Sequence, residues 1–443
     1  MRRLYNILFT VFFYLSAPYY FLKMARRGNW RAGFEQRFGH FDSKIKQAVT
    51  NRHMLWLHAV SVGEVNICTQ LIAALEPRLP NLKIVVSTTT TTGMGELQRK
   101  LPSHIQKIYY PIDRRGYVAH SLATIHPQAV VLVEAEIWPN FLWRAREVHI
   151  PVFLVNARLS RRSYRGYKCF GFLFRPLFAA LTGVGCQDEA DAARLRELGC
   201  RSEAIHVVGN LKFDAAKLDE RRPLDVPALL SQIGVPPGAP LLVGGSTHAG
   251  EEAVLAEVFV RLKKRFPDLF LVLVPRHFER GREVGRVLEG CGINFAYRKD
   301  ITRQTQFTPG QIQCLLVNTT GELKYFYEPA TVVFVGKSLT AEGGQHPIEP
   351  GILGKPLLFG PHMENFAAIA QALLDQGGAL RVQNATELEA AVASLLADPA
   401  RAAQLGRNAQ LVIRQNQGAI DRTVAMIIAK LKDREAIYVA DGR

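Results

Sequence analysis

From residue 53 onward, short uninterrupted apolar runs alternate with stretches whose apolar positions recur at helical spacing. The runs MLWLHAV (54–60), KIVVSTT (83–89), AVVLVEAE (129–136), VFLVNAR (152–158) and LTGVGC (181–186) carry little polar alternation, as strands buried on both faces do. Helical stretches follow through LIAALEPRL, over 93–100, through WPNFLWRAREV and through DEADAARLRELG. That order predicts a parallel sheet with helices on both faces. It restarts after DERRPLDVPALLSQIGVPPGAP (219–240), a segment rich in proline and charge. PLLVGGS, LFLVLVP, INFAYR, QCLLVNT, TVVFVG and PLLFG read as the second set of strands, with helices over 250–265 and 279–290 among them. The pattern predicts an α/β chain of two Rossmann-like domains, 31–218 and 241–443, joined by a linker at 219–240. It also predicts an interdomain cleft at the carboxyl ends of both sheets.

Upstream of the first strand the pattern is different. Residues 4–22, LYNILFTVFFYLSAPYYFL, carry no charge over 19 positions and would form a helix about 29 Å long. Arg2 and Arg3 precede them, Lys23, Arg26 and Arg27 follow, and no small-x-small cleavage site comes after. Residues 1–30 are therefore expected to form a membrane-anchor helix, spanning the bilayer or lying in its interface. The basic flank keeps the rest on the cytoplasmic face of the inner membrane.

Charge sharpens this picture. Of a net +16, residues 1–200 hold 27 Lys and Arg against 13 Asp and Glu, whereas residues 201–443 hold 28 against 26. The first half is built to face something anionic: a phospholipid surface, a nucleic acid or a phosphorylated substrate. Six cysteines without a CxxC pair fit free thiols in a reducing compartment.

Candidate chemistry gathers just past strand ends. In GGSTHAGEE (244–252), Ser246 and Thr247 are expected to cap the next helix beside His248, leaving amides for a phosphate. In VPRHFERG, Pro275 and Arg276 follow a strand, where a guanidinium can clamp an anion. Thr320, Gly321 and Glu322 repeat the pairing of strand end, glycine and carboxylate. In GKSLTAEGGQHPIEP, a glycine-rich loop reaches His346, Pro347, Ile348 and Glu349, the last suited to a ribose diol while loop amides approach a phosphate. None of these loops is GxGxxG or GxxxxGK[ST], which disfavours a nicotinamide reductase or a P-loop NTPase. No DxD and no His/Cys cluster argues for a metal, and no cofactor is called for.

In the first half, HAVSVGEV places Glu64 where a buried strand breaks into a helix: a helix-start charge or a reactive base. Glu134 and Glu136 end another strand, and alternation favours Glu136, nearer the strand end, as the site residue. The segment RLSRRSYRGYKCFGFLFRPLF (158–178) interleaves Arg158, Arg161, Arg162, Arg165 and Lys168 with aromatics. Beside an anchor this fits a helix on anionic lipid better than a nucleic-acid surface.

The series HAVSVGEV, EAEIWPN, VGNLKFD, STHAGEE, VPRHFERG, TTGEL and GGQHPIEP…GPHMENF resembles the bacterial 3-deoxy-D-manno-octulosonic acid (Kdo) transferases of lipopolysaccharide core biosynthesis, over nearly the whole chain. The resemblance implies a GT-B glycosyltransferase fold. It implies an N-terminal domain for a lipid A precursor, a C-terminal domain for CMP-Kdo, and an inverting, metal-independent transfer. By motif it gives Glu64 the place of the general base, and Pro275, Arg276, Thr320 to Glu322 and His346 to Glu349 the place of the CMP site. The family's loop often reads Gly-Gly-His-Asn-Pro-Leu-Glu, where this chain has Gly-Gly-Gln-His-Pro-Ile-Glu. Arg276, Lys212 of GNLKFD and the Ser246–His248 turn are candidates to neutralise the leaving phosphate. Rival readings are a UDP-sugar transferase or epimerase of the same fold, and a non-enzymatic membrane protein whose basic face binds anionic lipid or RNA.

Overall fold

Fourteen strands sort into two seven-stranded sheets whose pairings are all parallel. The computed structural model describes residues 2–26, 31, 33–50, 53–134, 136–215, 224–302 and 304–432. The chain divides into two units, Met1–Ala215 with Gln417–Arg443, and Ala216–Asn416.

The first sheet holds β1 (Met54–His58), β2 (Lys83–Thr88), β3 (Gln106–Tyr109), β4 (Pro127–Val133), β5 (Val152–Ala157), β6 (Gly183–Cys186) and β7 (Ile205–Val207), in the order β3-β2-β1-β4-β5-β6-β7. All five side chains of β1 are buried, as a strand covered by helices on both faces requires. Trp56 packs edge-on against Phe141 below the sheet. Strand order reverses between β1 and β4, so the loops that follow them part and open a crevice at their carboxyl ends. β3 and β7 went unpredicted because they are short and carry polar residues; β7 is an edge strand with Val207 exposed.

The second sheet holds β8 (Leu241–Thr247), β9 (Phe270–Pro275), β10 (Phe295–Tyr297), β11 (Cys314–Leu316), β12 (Val332–Val335), β13 (Leu357–Phe359) and β14 (Ala379–Arg381), in the order β10-β11-β9-β8-β12-β13-β14. Its reversal falls between β8 and β12. Inside the expected linker, Asp225 caps a helix, Val226–Gln232; residues 216–223 lie outside the described residues.

Two expectations change. The last helix, Ala419–Lys432, belongs to the first unit and not to a 241–443 domain: Ile420, Val424, Ile427 and Leu431 join the core beside Val65 and Leu71. Asp214 fixes its start by accepting from the Gly418 and Ile420 amides, both at 2.7 Å. Local pattern alone carries no sign of such a crossing.

The N-terminal helix runs Arg2–Arg26, but among the described residues no helix is long and apolar enough to cross a membrane. That corrects the spanning reading. Asn6, four tyrosines and Pro18 dilute the apolar run, and part of the helix is committed to protein contacts. The Tyr5 hydroxyl donates to buried Asp113 (2.7 Å), Asn140 Nδ2 donates to Asn6 (2.8 Å), and Arg2 pairs with Glu147. Leu4, Ile7, Leu8, Val11, Phe12 and Leu15 are left exposed. Residues 27–30 of the expected anchor lie outside the described residues. All six cysteines are free thiols.

Candidate active site

Glu64 sits on the first turn of the helix Val62–Leu75, immediately past β1. Ser61 and Glu64 form a capping box: Ser61 Oγ accepts from the Glu64 amide (3.2 Å), and the Glu64 carboxylate accepts from Val60 N (2.8 Å) and Ser61 Oγ (2.7 Å). The helix-start role is thus real. It does not exhaust the residue. Glu64 is only 8% exposed, and burial pushes its carboxyl above the ordinary value. The bonds from Val60 and Ser61 work against that shift, whereas the charges of Glu134 and Glu136 add to it. A carboxyl raised in this way holds an abstracted proton better than a free one.

Its two acidic neighbours come from the other side of the strand-order reversal, past the end of β4. Glu134 has φ 63°, a left-handed backbone that a non-glycine residue adopts at a cost of order 1 kcal/mol. Glu136 accepts from Trp138 Nε1 at 2.7 Å and is itself raised, first by burial and then by Glu134. The alternation that favoured Glu136 fails as an argument, because β4 ends at Val133 and the pleat does not reach either carboxylate. Both approach Glu64 closely enough to raise it.

Lys212 is in the first unit, where its Nζ lies 3.3 Å from Glu134 Oε1. The role foreseen for it at the donor phosphate gives way to one beside the acids. Asn156 escaped sequence reading. It is fully buried with φ 53°, accepts from Leu211 N (3.1 Å), and brings Nδ2 to 3.5 Å from Glu134. It thereby fastens the end of β5 to the turn that carries Lys212. A polar residue closing an apolar strand run was its only sequence signal.

The basic segment folds as two helices, Arg161–Cys169 and Gly171–Phe178. Arg158, Arg161, Arg162, Arg165 and Lys168 are all exposed, and Lys168 pairs with Glu197 at 2.9 Å. Tyr167 turns inward onto Phe174 and Phe178, while Phe170 and Phe172 stay exposed.

The second unit collects its candidates around β8 and β12. Ser246 and Thr247 do not cap a helix; both still belong to β8, and the next helix, Glu251–Lys263, starts after Gly250. Ser246 has φ 53°, and the Thr247 hydroxyl donates to buried Glu252 (2.9 Å). Glu251, fully buried, accepts from the amides of His248, Lys337, Ser338 and Leu339 at 2.7–3.0 Å. One carboxylate thus ties the β8 turn to the β12 turn. Gln345 Nε2 reaches to 3.4 Å from His248 Nε2, which brings the glycine-rich loop to the same place. Pro347 and Ile348 are buried at the start of the helix Ile348–Ile352, and the His346 ring meets Phe366 edge-on.

Glu349 on that helix is raised by burial and pulled back by Lys324 and Arg276, so the exposed Arg276, just past Pro275, belongs to the same electrostatic neighbourhood. Thr320 and Gly321 are exposed. The Glu322 carboxylate is taken up by Arg298 (3.0 Å) and Thr319 (2.6 Å), which competes with the ribose role expected of it. The amides of Gly343 and Gly344 are also engaged, by Glu364 (2.6 Å) and the Lys337 carbonyl (2.8 Å), and are not free for a phosphate. Among the described residues no group of three or more His, Cys, Asp or Glu is arranged to hold a metal ion.

Residues 32–215 match the family model described as 3-deoxy-D-manno-octulosonic-acid transferase (kdotransferase). The 3-deoxy-D-manno-octulosonic acid transferase of Bordetella pertussis is 33% identical over 92% of this chain and 95% of its own. The enzyme of the same name from Haemophilus influenzae is 30% identical over 84% of this chain and 86% of its own. In fold, the chain is similar to the Neisseria meningitidis UDP-GlcNAc 2-epimerase bound to UDP-GlcNAc, with a TM-score of 0.58 over 85% of this chain and 100% of that one at 15% identity. Two parallel Rossmann-like sheets, carboxylates at one reversal of strand order and a glycine-rich loop at the other therefore belong to a glycosyltransferase, and the chain is a member of the 3-deoxy-D-manno-octulosonic acid transferase family.

Proposed function

We propose that the protein transfers Kdo from CMP-Kdo to a lipid A precursor, lipid IVA, in inner-core lipopolysaccharide biosynthesis, with inversion and without a metal. The observation that carries this reading is Glu64, a buried carboxyl raised in pKa beside Glu134 and Glu136 at the switch point of the first sheet. In the step proposed, a hydroxyl of the acceptor attacks the anomeric carbon of Kdo from the face opposite the nucleotide. The bond from that carbon to the phosphate oxygen breaks, CMP leaves with the electron pair, and Glu64 takes the hydroxyl proton. A single displacement of this kind inverts the anomeric centre. The second unit holds the nucleotide, with Arg276 and the turns after β8 and β12 meeting the leaving charge.

The acceptor is a phosphorylated lipid, and the first unit carries features that suit it. Exposed apolar residues of the helix Arg2–Arg26, the exposed Phe170 and Phe172, and the arginines at 158, 161, 162 and 165 fit a surface resting on anionic lipid at the cytoplasmic face of the inner membrane. The partners are then CMP-Kdo, the lipid A precursor and the phospholipid surface, with no nucleic acid.

The test is direct. Purified protein incubated with CMP-Kdo and tetraacylated lipid A precursor yields, by mass spectrometry, acceptor carrying one or more added Kdo residues. An unmodified acceptor overturns the reading. The fold is also shared by a UDP-sugar epimerase, so CMP and UDP are titrated side by side by calorimetry; tighter UDP binding contradicts the donor assignment.

A further inference from the structure

We infer that Lys337, on the turn after β12, binds the donor's phosphate through its side-chain ammonium. This deepens the proposed function and rests on its nucleotide assignment to the second unit. Lys337 has φ 55°, in the left-handed region that favours glycine. The conformation is enforced from two sides. Its amide donates to buried Glu251 at 2.7 Å, and its carbonyl accepts from Gly344 N at 2.8 Å. Gly336, immediately before, packs so closely that a Cβ there would lie 2.4 Å from the Ser246 carbonyl oxygen. A long cationic side chain at so constrained a backbone position is an odd residue to keep unless the charge is used.

The ammonium reaches over the glycine-rich loop. A Cβ built on Gly343 would meet Lys337 Nζ at 3.2 Å, so the missing side chain is what leaves room beside the charge. Lys337 is also close enough to His248 to hold its imidazole below the ordinary value, after burial, which is the larger cause. The other ways of meeting a phosphate here are spent. Gly343 and Gly344 amides are engaged, the His248 amide belongs to Glu251, and Arg280 is committed to Glu252 and Glu283. Lys337 takes part in none of the ion pairs around the site. An ammonium without a carboxylate, at the switch point of a Rossmann-like sheet, is matched to a phosphate oxygen.

The experiment compares wild type with Lys337→Met, which keeps length and loses charge, and Lys337→Gly, which loses charge and relieves the backbone. Calorimetric competition reads CMP against cytidine for each. The expected result is an about tenfold weaker CMP affinity in both variants with cytidine affinity unchanged, and a higher Tm for Lys337→Gly. CMP affinity unchanged in Lys337→Met overturns the assignment, as does an equal loss for CMP and cytidine. Wild type that binds UDP in place of CMP removes the donor reading instead, and the same contrast is then read with UDP against uridine.

Discussion

Lys212 Nζ lies 3.3 Å from Glu134 Oε1, beside the left-handed residue that closes β4. The pair is partly exposed, so its direct worth to folding is under about 1 kcal/mol. Its effect on chemistry is larger, because it balances one of three carboxylates held together past the strand ends. Lys212→Met is expected to leave the Tm within a few degrees of wild type while turnover falls by about tenfold or more. Steady-state kinetics beside a thermal melt check this; equal and small effects on both would return Lys212 to a surface role.

The raised carboxyl of Glu64 sets the pH dependence. A base works only when ionised, so kcat/KM falls as pH drops through a value above the usual carboxylate range. The stability contribution has the opposite sense. A folded pKa above the unfolded one favours the protonated folded state, so the benefit is present below the ordinary value and is lost as pH rises through the raised one. Glu136→Gln removes a like charge and is expected to move the acid limb of the kcat/KM profile down by roughly half a pH unit. An acid limb that stays in place contradicts the coupling of these carboxylates.

Leu8 and Phe12 are exposed on the N-terminal helix, whereas Tyr5 and Asn6 are bonded to the domain. Leu8→Glu with Phe12→Glu therefore leaves the docked contacts alone and removes apolar area available to lipid. The double variant is expected to stay in the supernatant when anionic vesicles are sedimented, with its melt unchanged. Co-sedimentation equal to wild type would show that membrane contact lies elsewhere.

Much of this architecture is legible in the residue pattern, for a physical reason. Strands such as Met54–His58 and Phe270–Pro275 are buried on both faces and so are apolar throughout, and the carboxylates and glycines that follow them stand out. What was hidden depends on three-dimensional closure. The short β3 and β7 earn their place from a neighbouring strand, and the return of Ala419–Lys432 to the first unit depends on Asp214, far away in sequence. Asn156 and Lys337 were overlooked because nothing in residue type reveals a positive φ. Thr247 was misassigned as a helix cap because strand β8 runs further than its apolar stretch. Neighbouring bonds likewise decide that Glu322 meets Arg298.

The sharpest measurement is turnover of Glu64→Gln with CMP-Kdo and lipid IVA, beside Glu64→Ala. Glutamine still completes a capping box with Ser61, so it is expected to fold as well as wild type, while alanine loses about 1 kcal/mol. Loss of proton acceptance lowers kcat by about 10²–10⁴-fold in both variants. A well-folded Glu64→Gln protein that turns over at the wild-type rate would reduce this carboxylate to a helix cap and contradict the mechanism.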